Sequence, residues 1–228
     1  MNEDKKPTWS IRDSLMAFGL VIVVSAIAAS VLIVGFGEGA SADDPDDILL
    51  GIVATAIGMV SGLVYARSKA SSDAFALRPC TAEWAMYAVA MVVPVLGFGY
   101  CWASLLDWLG MGTEPQTYVD SILSTSDPVT LAISVAYGVI GAAVLEELLF
   151  RGIIQPPMVA RWGIWVGILA QGCLFGMMHM VDLWAVFPTA VIGCVAGWLR
   201  FESGALGAPI IFHAVNNLLA LLFNATMT

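Results

Sequence analysis

The stretch from Val129 to Arg151 reads VTLAISVAYGVIGAAVLEELLFR, and it ends a long apolar run with charged residues. No charged residue occurs between Val129 and Leu145, which is enough chain to cross the hydrocarbon core of a bilayer as a helix. Glu146, Glu147 and Arg151 follow directly. The stretch therefore predicts a membrane-spanning helix that bears ionisable side chains.

The composition of the whole chain points to the same class of protein. Of its 228 residues, 59% are hydrophobic and 12% are charged, and the mean hydropathy is +0.86. So few charges cannot cover the surface of a soluble enzyme, and the apolar content excludes a disordered chain. The net charge of −9 argues against a nucleic-acid-binding protein, which needs a basic surface. We predict one integral membrane domain over residues 1–228.

Hydropathy predicts an all-α fold, a polytopic bundle of about seven transmembrane helices. The sixth apolar segment is short, so a break or a re-entrant piece could bring the number to eight. The seven segments cover residues 14–36, 48–66, 84–106, 129 to beyond 150, 162–181, 183–199 and 205–223.

The positions of the basic residues predict the orientation of these segments. All 9 Lys and Arg residues lie in the N-terminal tail, in the second, fourth and sixth connections, or at the end of the fourth segment. In the other connections, all the charged residues are acidic. The positive-inside rule then places the N-terminus in the cytoplasm and the C-terminus outside. With short loops and no targeting tail, the chain fits the plasma (inner) membrane of a prokaryote.

A cleaved signal peptide is the competing interpretation of the first segment, because Ala40-Ser41-Ala42 resembles a cleavage site. Its apolar stretch is about 20 residues long, however, whereas signal-peptide cores have roughly 7–15 residues. We therefore favour a retained first transmembrane helix.

The charged turn of the fourth segment predicts one ion pair and one free carboxylate. Glu147 and Arg151 are four residues apart, so they lie on one helix face and can pair. Glu146 points about 100° away and stays available to accept a proton. Ionisable residues inside a membrane usually mark function. A buried salt bridge that only fixes the packing of the bundle is the alternative.

Both histidines of the chain lie in apolar segments, which strengthens the functional interpretation. His179 lies near the end of the fifth segment, His213 lies in the seventh, and Asn217 follows His213 one turn later on the same face. Counting residues from the connection near Arg161 puts Glu146 and His179 at nearly the same depth. We therefore expect these side chains to share one intramembrane pocket.

In this order and spacing, the residues resemble the three motifs of the CPBP family of intramembrane proteases (CAAX protease and bacteriocin-processing, also called Abi). The resemblance covers residues 129–224, whereas the first 125 residues are similar only in being apolar helices. Characterised members have eight spans, one more than predicted here. The motifs as they stand in this chain are Glu146-Glu147-xxx-Arg151, Phe175-xxx-His179 and His213-xxx-Asn217.

The resemblance implies hydrolysis of a peptide bond inside the membrane. In the scheme proposed for the family, Glu146 activates a water molecule with the assistance of His179. His213 and Asn217 would then stabilise the oxyanion of the tetrahedral intermediate.

A second scheme treats the family as zinc proteases. Zn²⁺ would then be bound by His179, His213 and Glu146, a plausible catalytic ligand set, although the chain lacks HExxH. In either scheme Glu147 and Arg151 would hold the helix and tune Glu146. We slightly favour the metal-independent glutamate mechanism and leave the cofactor as none or Zn²⁺.

The expected partners are the lipid bilayer and a membrane-associated peptide or protein, and no nucleic acid is expected. The sequence does not predict the oligomeric state. Family members remove the C-terminal tripeptide of prenylated CAAX proteins, process peptides or confer immunity to bacteriocins. For this chain we favour a membrane peptide or protein over a prenylated one. A non-catalytic membrane subunit that kept the protease fold and a small proton-coupled carrier are the alternatives.

Overall fold

The computed structural model describes residues 9–36, 45–69, 75–111, 125, 127–180 and 183–227. All the regular secondary structure in these residues is helical, and these residues form seven helices. Their bounds are Ile11–Phe36 (α1), Pro45–Lys69 (α2), Ala82–Trp108 (α3), Pro128–Trp162 (α4), Ile164–Met177 (α5), Val186–Ser203 (α6) and Gly207–Met227 (α7).

The predicted all-α architecture is confirmed. Among the described residues, five helices are long and apolar enough to cross a membrane, namely α1, α2, α3, α4 and α7. Helix α5 is apolar but has 14 residues, and α6 has 18. The number of spans and the orientation of the termini stay predictions. The Ala40-Ser41-Ala42 motif and most of the connection between α3 and α4 lie outside the described residues.

The predicted fifth and sixth segments both run past the observed helices into non-helical residues. Hydropathy extends the fifth segment to residue 181, but α5 ends at Met177, where the chain tightens into a turn. In that turn the His179 N–H donates to the Gly176 carbonyl at 2.9 Å, a spacing of three residues instead of four. The sixth segment is predicted to begin at residue 183, but α6 begins at Val186. Hydropathy averaged over a window does not locate this turn, because most of the residues around it, such as Met178, Met180 and Leu183, are apolar.

Helix α4 contains two wider, π-helical segments, Tyr137–Gly141 and Leu148–Ile154. The α-helical turn between them, Ala142–Glu147, holds both glutamates. Pro156 and Pro157 follow the second segment and, lacking an N–H group, cannot donate to carbonyls four residues earlier. The charged turn therefore lies between two irregular parts of the helix. Short π-helical segments of this kind often accompany functional sites.

The proline pair explains one contact between distant parts of the chain. Pro157 cannot supply a donor for the Ile153 carbonyl, which would otherwise be an unsatisfied buried acceptor. The Trp9 indole Nε1–H donates to this oxygen at 2.8 Å, and the Ser14 hydroxyl donates to it at 2.9 Å. The start of α1 is thereby fixed against the second half of α4.

Small residues bring neighbouring helices into close contact, as expected for membrane bundles. A methyl group built on Gly193 of α6 would lie 2.9 Å from the Gly172 Cα of α5. One built on Gly62 of α2 would lie 2.5 Å from Val21 Cγ2 of α1. The helix pairs α5–α6 and α1–α2 therefore approach each other too closely for larger residues at these positions.

Contacts between connections agree with the predicted alternation of the helices. Between α2 and α3, the Arg78 guanidinium donates from Nη2 to the Gly204 carbonyl at 2.9 Å, and Gly204 lies between α6 and α7. Trp102, near the end of α3, donates from Nε1 to the Trp184 carbonyl before α6 at 2.9 Å. The second and sixth connections thus meet at one end of the bundle, and the end of α3 meets the start of α6.

Candidate active site

The expected ion pair within α4 is present and fully buried. Arg151 Nη1 donates to Glu147 Oε1 at 2.8 Å, and both side chains have 0% exposure. Arg151 Nη2 donates to the Gly193 carbonyl of α6 at 2.8 Å. The guanidinium therefore joins the charged turn of α4 to the glycine-lined face of α6.

His213 of α7 completes this cluster. Its Nδ1–H donates to the same Oε1 atom of Glu147 at 2.9 Å, so one carboxylate oxygen accepts from both Arg151 and His213. This bond fixes the orientation of the imidazole and leaves Nε2 on its far side. The sequence suggests only Arg151 as the partner of Glu147. The contact with His213, which lies 66 residues away, requires the folded bundle.

Glu146 lies on the other side of the His213 ring. Its Oε2 atom is 4.0 Å from Nε2, too far for a direct hydrogen bond, and its side chain keeps 20% exposure. Oε2 is itself buried and has no hydrogen-bond partner among the described residues. Glu146 is therefore the glutamate that a small molecule can reach, whereas Glu147 is enclosed and doubly bonded.

His179 lies close to this cluster without joining its hydrogen bonds. Its Nδ1–H donates to the Phe175 carbonyl at 3.0 Å, which leaves Nε2 as the free nitrogen. In the described part of the chain, neither ring nitrogen lies within 4.0 Å of a carboxylate oxygen.

The aromatic ring of Phe175 lies between the two histidines. It is 1% exposed, and its centroid is 5.2 Å from that of His179 and 5.7 Å from that of His213. The Arg151 guanidinium carbon lies 4.5 Å from the same centroid, a cation–π distance. Phe175 thus lies beside both histidines and also contacts the guanidinium of Arg151.

Asn217, the sixth predicted site residue, bonds to the other half of α4. Its Nδ2 donates to the Gly138 carbonyl at 2.8 Å. Gly138 lies in the first π-helical segment, where the Ala142 N–H bonds five residues back, to the Tyr137 carbonyl. An amide nitrogen carries two hydrogens, so one donor of Asn217 stays available.

Three buried polar residues beside the site do not belong to the predicted set. Gln171 Nε2 donates to the Gly193 carbonyl at 2.9 Å, and Gln155 Nε2 donates to the Gly197 carbonyl at 2.8 Å. Arg200, near the end of α6, is 7% exposed. The signal that could have found Gln155 and Gln171 is the one that singled out Glu146, a polar side chain among apolar residues; Arg200 follows the predicted sixth segment and is counted with the basic residues of the sixth connection.

The residues named for a zinc site do not fit a metal in this arrangement. No group of three or more His, Cys, Asp or Glu among the described residues is placed to hold an ion. His213 keeps Nε2 on the side of Glu146, but His179 has no carboxylate oxygen within 4.0 Å among the described residues, so the three side chains do not surround one point.

One comparison with known proteins bears on this site. Residues 128–219 match the model of a protein family described as type II CAAX prenyl endopeptidase Rce1-like. The matched segment contains all six predicted site residues, and the match confirms the resemblance to the CPBP family. Searches among curated proteins and among solved structures found no similar protein.

Proposed function

Residues 128–219 form an Rce1-like segment of the CPBP family, and on that premise we propose that this chain is an intramembrane endopeptidase. Its substrate is a membrane-associated peptide or protein. The reaction is hydrolysis of one peptide bond by a water molecule that Glu146 activates.

The observation that supports this proposal best is the division of labour between the two glutamates. Glu147 is enclosed and accepts from Arg151 and His213, so its negative charge is already balanced. Each carboxylate has one buried oxygen, Oε2, without a hydrogen-bond partner among the described residues, and that of Glu146 lies 4.0 Å from His213 Nε2. The difference is that the Glu146 side chain keeps 20% exposure, whereas that of Glu147 has 0%. A purely structural ion pair would need Glu147 and Arg151 but gives no reason for Glu146.

The proposed reaction begins with proton transfer from water to Glu146. The water oxygen forms a bond to the carbonyl carbon, and the carbonyl oxygen takes the negative charge. Glu146 then gives its proton to the leaving nitrogen as the C=O bond re-forms and the C–N bond breaks, which releases an amine and a carboxylic acid; the acid then loses its proton to the amine or to water. General-base catalysis of this kind contributes roughly 10²–10⁴-fold to a rate.

Two groups stand ready to stabilise the charge on the oxygen. His213 is oriented by its bond to Glu147, and Asn217 keeps a second N–H donor. Removal of one donor from an oxyanion site typically costs about 10²–10³-fold in kcat. His179, with Nε2 free, assists the water from the end of α5. None of these steps requires a metal.

The test is a cleavage assay with the purified protein in liposomes. The probe is a library of single-span membrane peptides with randomised C-terminal residues, and products are identified by mass spectrometry. We expect cleavage by the unchanged protein and a rate at least about 10²-fold lower for Glu146→Gln. Glu83→Gln, the same substitution at an exposed position of α3, serves as the matched control and keeps full activity.

Two outcomes would contradict the proposal. One is full activity in Glu146→Gln at normal expression. The other is no cleavage of any library member by a folded, unchanged protein, which would favour a non-catalytic subunit, or a carrier if the liposomes showed solute flux.

A further inference from the structure

Gln171 is a buried polar residue of α5 that has no place in the proposed reaction scheme. Its side chain has 0% exposure. Nε2 donates to the Ile168 carbonyl of its own helix at 3.0 Å and to the Gly193 carbonyl of α6 at 2.9 Å. Both amide hydrogens are thereby used, so the side chain is held in one orientation and links two helices.

The Gly193 carbonyl connects Gln171 to the charged cluster. Arg151 Nη2 donates to the same oxygen at 2.8 Å, and Arg151 Nη1 donates to Glu147 Oε1 at 2.8 Å. Glu147 Oε1 also accepts from His213 at 2.9 Å. A continuous series of hydrogen bonds therefore runs from α5, through α6 and α4, to the imidazole of α7.

The position of His179 depends on the position of α5. Its N–H donates to the Gly176 carbonyl at 2.9 Å, and its Nδ1–H donates to the Phe175 carbonyl at 3.0 Å, both in the last turn of α5. Its ring has no carboxylate oxygen within 4.0 Å among the described residues. The distance between His179 and Glu146 is therefore set by the way in which α5 docks on α6 and α4.

The apolar contact between α5 and α6 does not by itself set this docking. Glycines let the two helices approach closely, but apolar contact is non-directional. The other polar contact between α5 and α6 among the described residues is the Cys194 thiol, 4.0 Å from the Ile168 carbonyl, and a thiol is a weak donor. The directional bond of Gln171 to Gly193 therefore fixes α5 along α6.

We propose that Gln171 is a positioning residue for the cleavage reaction, an inference that rests on the proposed protease function. By donating to the carbonyl that also accepts from Arg151, Gln171 keeps His179 at the distance from Glu146 that lets both act on one water molecule. It acts through these residues and needs no contact with the substrate. Gly197 of α6 leaves room for it, because a methyl group built on Gly197 would collide with Gln171 Nε2.

Gln171→Met tests the proposal, because methionine keeps the length of the side chain and removes both hydrogen bonds. A displacement of about 1 Å at a distant residue can lower a rate by about 10²-fold, so we expect kcat to fall at least about tenfold. KM should change little, since no contact with the ground-state substrate is lost. The substrate is the library peptide that the unchanged protein cleaves fastest.

Gln155→Met is the matched control. Gln155 is 3% exposed and donates from Nε2 to the Gly197 carbonyl, one turn after Gly193 on α6, at 2.8 Å. It lies on α4, the helix of Glu146, and does not hold α5. A role in stability alone would affect both glutamine variants equally, whereas our proposal predicts an unchanged kcat for Gln155→Met.

Gly197→Ala covers the case in which Gln171→Met fails to fold. The added methyl would displace Gln171 Nε2, whereas it would lie 3.3 Å from Gln155 Oε1. We expect a loss of kcat similar to that of Gln171→Met. In a Gln171→Ala background the same change should cause no further loss, because alanine leaves this space free. A further loss of the same size would contradict an action through Gln171.

A second measurement does not depend on catalysis. The chain contains 2 histidines, so labelling with ¹⁵N-histidine gives NMR signals from two imidazoles, which His179→Ala assigns. Gln171→Met should shift the signals of His179, and Gln155→Met should leave them in place.

The inference is overturned by an unchanged kcat in folded Gln171→Met, by an equal loss in Gln155→Met, or by His179 signals that do not move in Gln171→Met. No cleavage by the unchanged protein, together with shifted His179 signals in Gln171→Met, would refute the proposed function and leave the placement of His179 by Gln171 standing.

Discussion

Replacement of Arg151 by methionine should strongly destabilise the bundle. Methionine fills a similar volume but removes the hydrogen bonds to Glu147 Oε1 and to the Gly193 carbonyl, and it leaves Glu147 as a buried, unpaired charge. Loss of one partner from a buried pair typically costs about 3–5 kcal/mol. Glu147 keeps its bond from His213, and Gly193 keeps its bond from Gln171, so the lower value of about 3 kcal/mol is expected here.

The assay is the free energy of unfolding in mixed micelles, titrated with a denaturing detergent. Arg161→Met is the matched control, because the same change at an exposed position on α4 should stay within about 0.5 kcal/mol. The double variant Glu147→Gln/Arg151→Met should recover at least about 1 kcal/mol relative to Arg151→Met, because no carboxylate is left unpaired. A cost below about 1 kcal/mol for Arg151→Met, or a double variant whose cost is the sum of the two single costs, would refute the reasoning.

Three further changes test the fold around the site, each by the same unfolding measurement. Gly193→Ala would place a methyl group 2.9 Å from the Gly172 Cα and should lower the free energy of unfolding by about 1–3 kcal/mol. Gly97→Ala is the control, because its added methyl meets nothing within 4 Å and should not destabilise the protein. Equal effects of the two changes would refute the close contact of α5 and α6. Trp9→Phe removes the donor to the Ile153 carbonyl and should cost about 1 kcal/mol, and an unchanged stability would show that this bond is not needed. Asp127 caps α4, and its hydrogen bonds from Thr130 hold the pKa of that carboxyl below its ordinary value of 3.8. The stabilisation by the ionised Asp127 is therefore complete above pH 3.8 and is lost as the pH falls through the lowered pKa. The difference in stability between the unchanged protein and Asp127→Asn should shrink only in that acid range. A difference that does not change with pH would contradict the capping role.

Local patterns in the sequence predict a large part of the fold. The seven apolar segments correspond to seven helices of the described residues, five of which are long and apolar enough to cross a membrane. The Glu147–Arg151 pair follows from a spacing of four residues. Glycines spaced four apart in α5 and α6 allow the close contact of these helices, although the spacing alone does not show which helices meet.

Other features of the site depend on contacts between distant residues, and local patterns do not reveal them. The bond between His213 and Glu147 joins α7 to α4, and the bond of Asn217 reaches Gly138. The π-helical segments arise from backbone hydrogen bonds that no periodicity of side chains displays. The Pro156-Pro157 pair is a local signal of an irregular helix, but it does not show that Trp9 donates to the carbonyl of Ile153.

Direct activation of water by Glu146 is tested by hydrolysis in ¹⁸O-labelled water. The protein is mixed with a smaller amount of substrate for a single turnover, and the new C-terminus of the product is analysed by mass spectrometry. We expect one ¹⁸O atom in the product carboxyl, no label in the Glu146 side chain, and product formation at least about 10²-fold slower in Glu146→Gln. Label in Glu146 with an unlabelled product would indicate a covalent acyl-enzyme and would contradict general-base catalysis, and product from Glu146→Gln at the unchanged rate would contradict any role of this residue in the reaction.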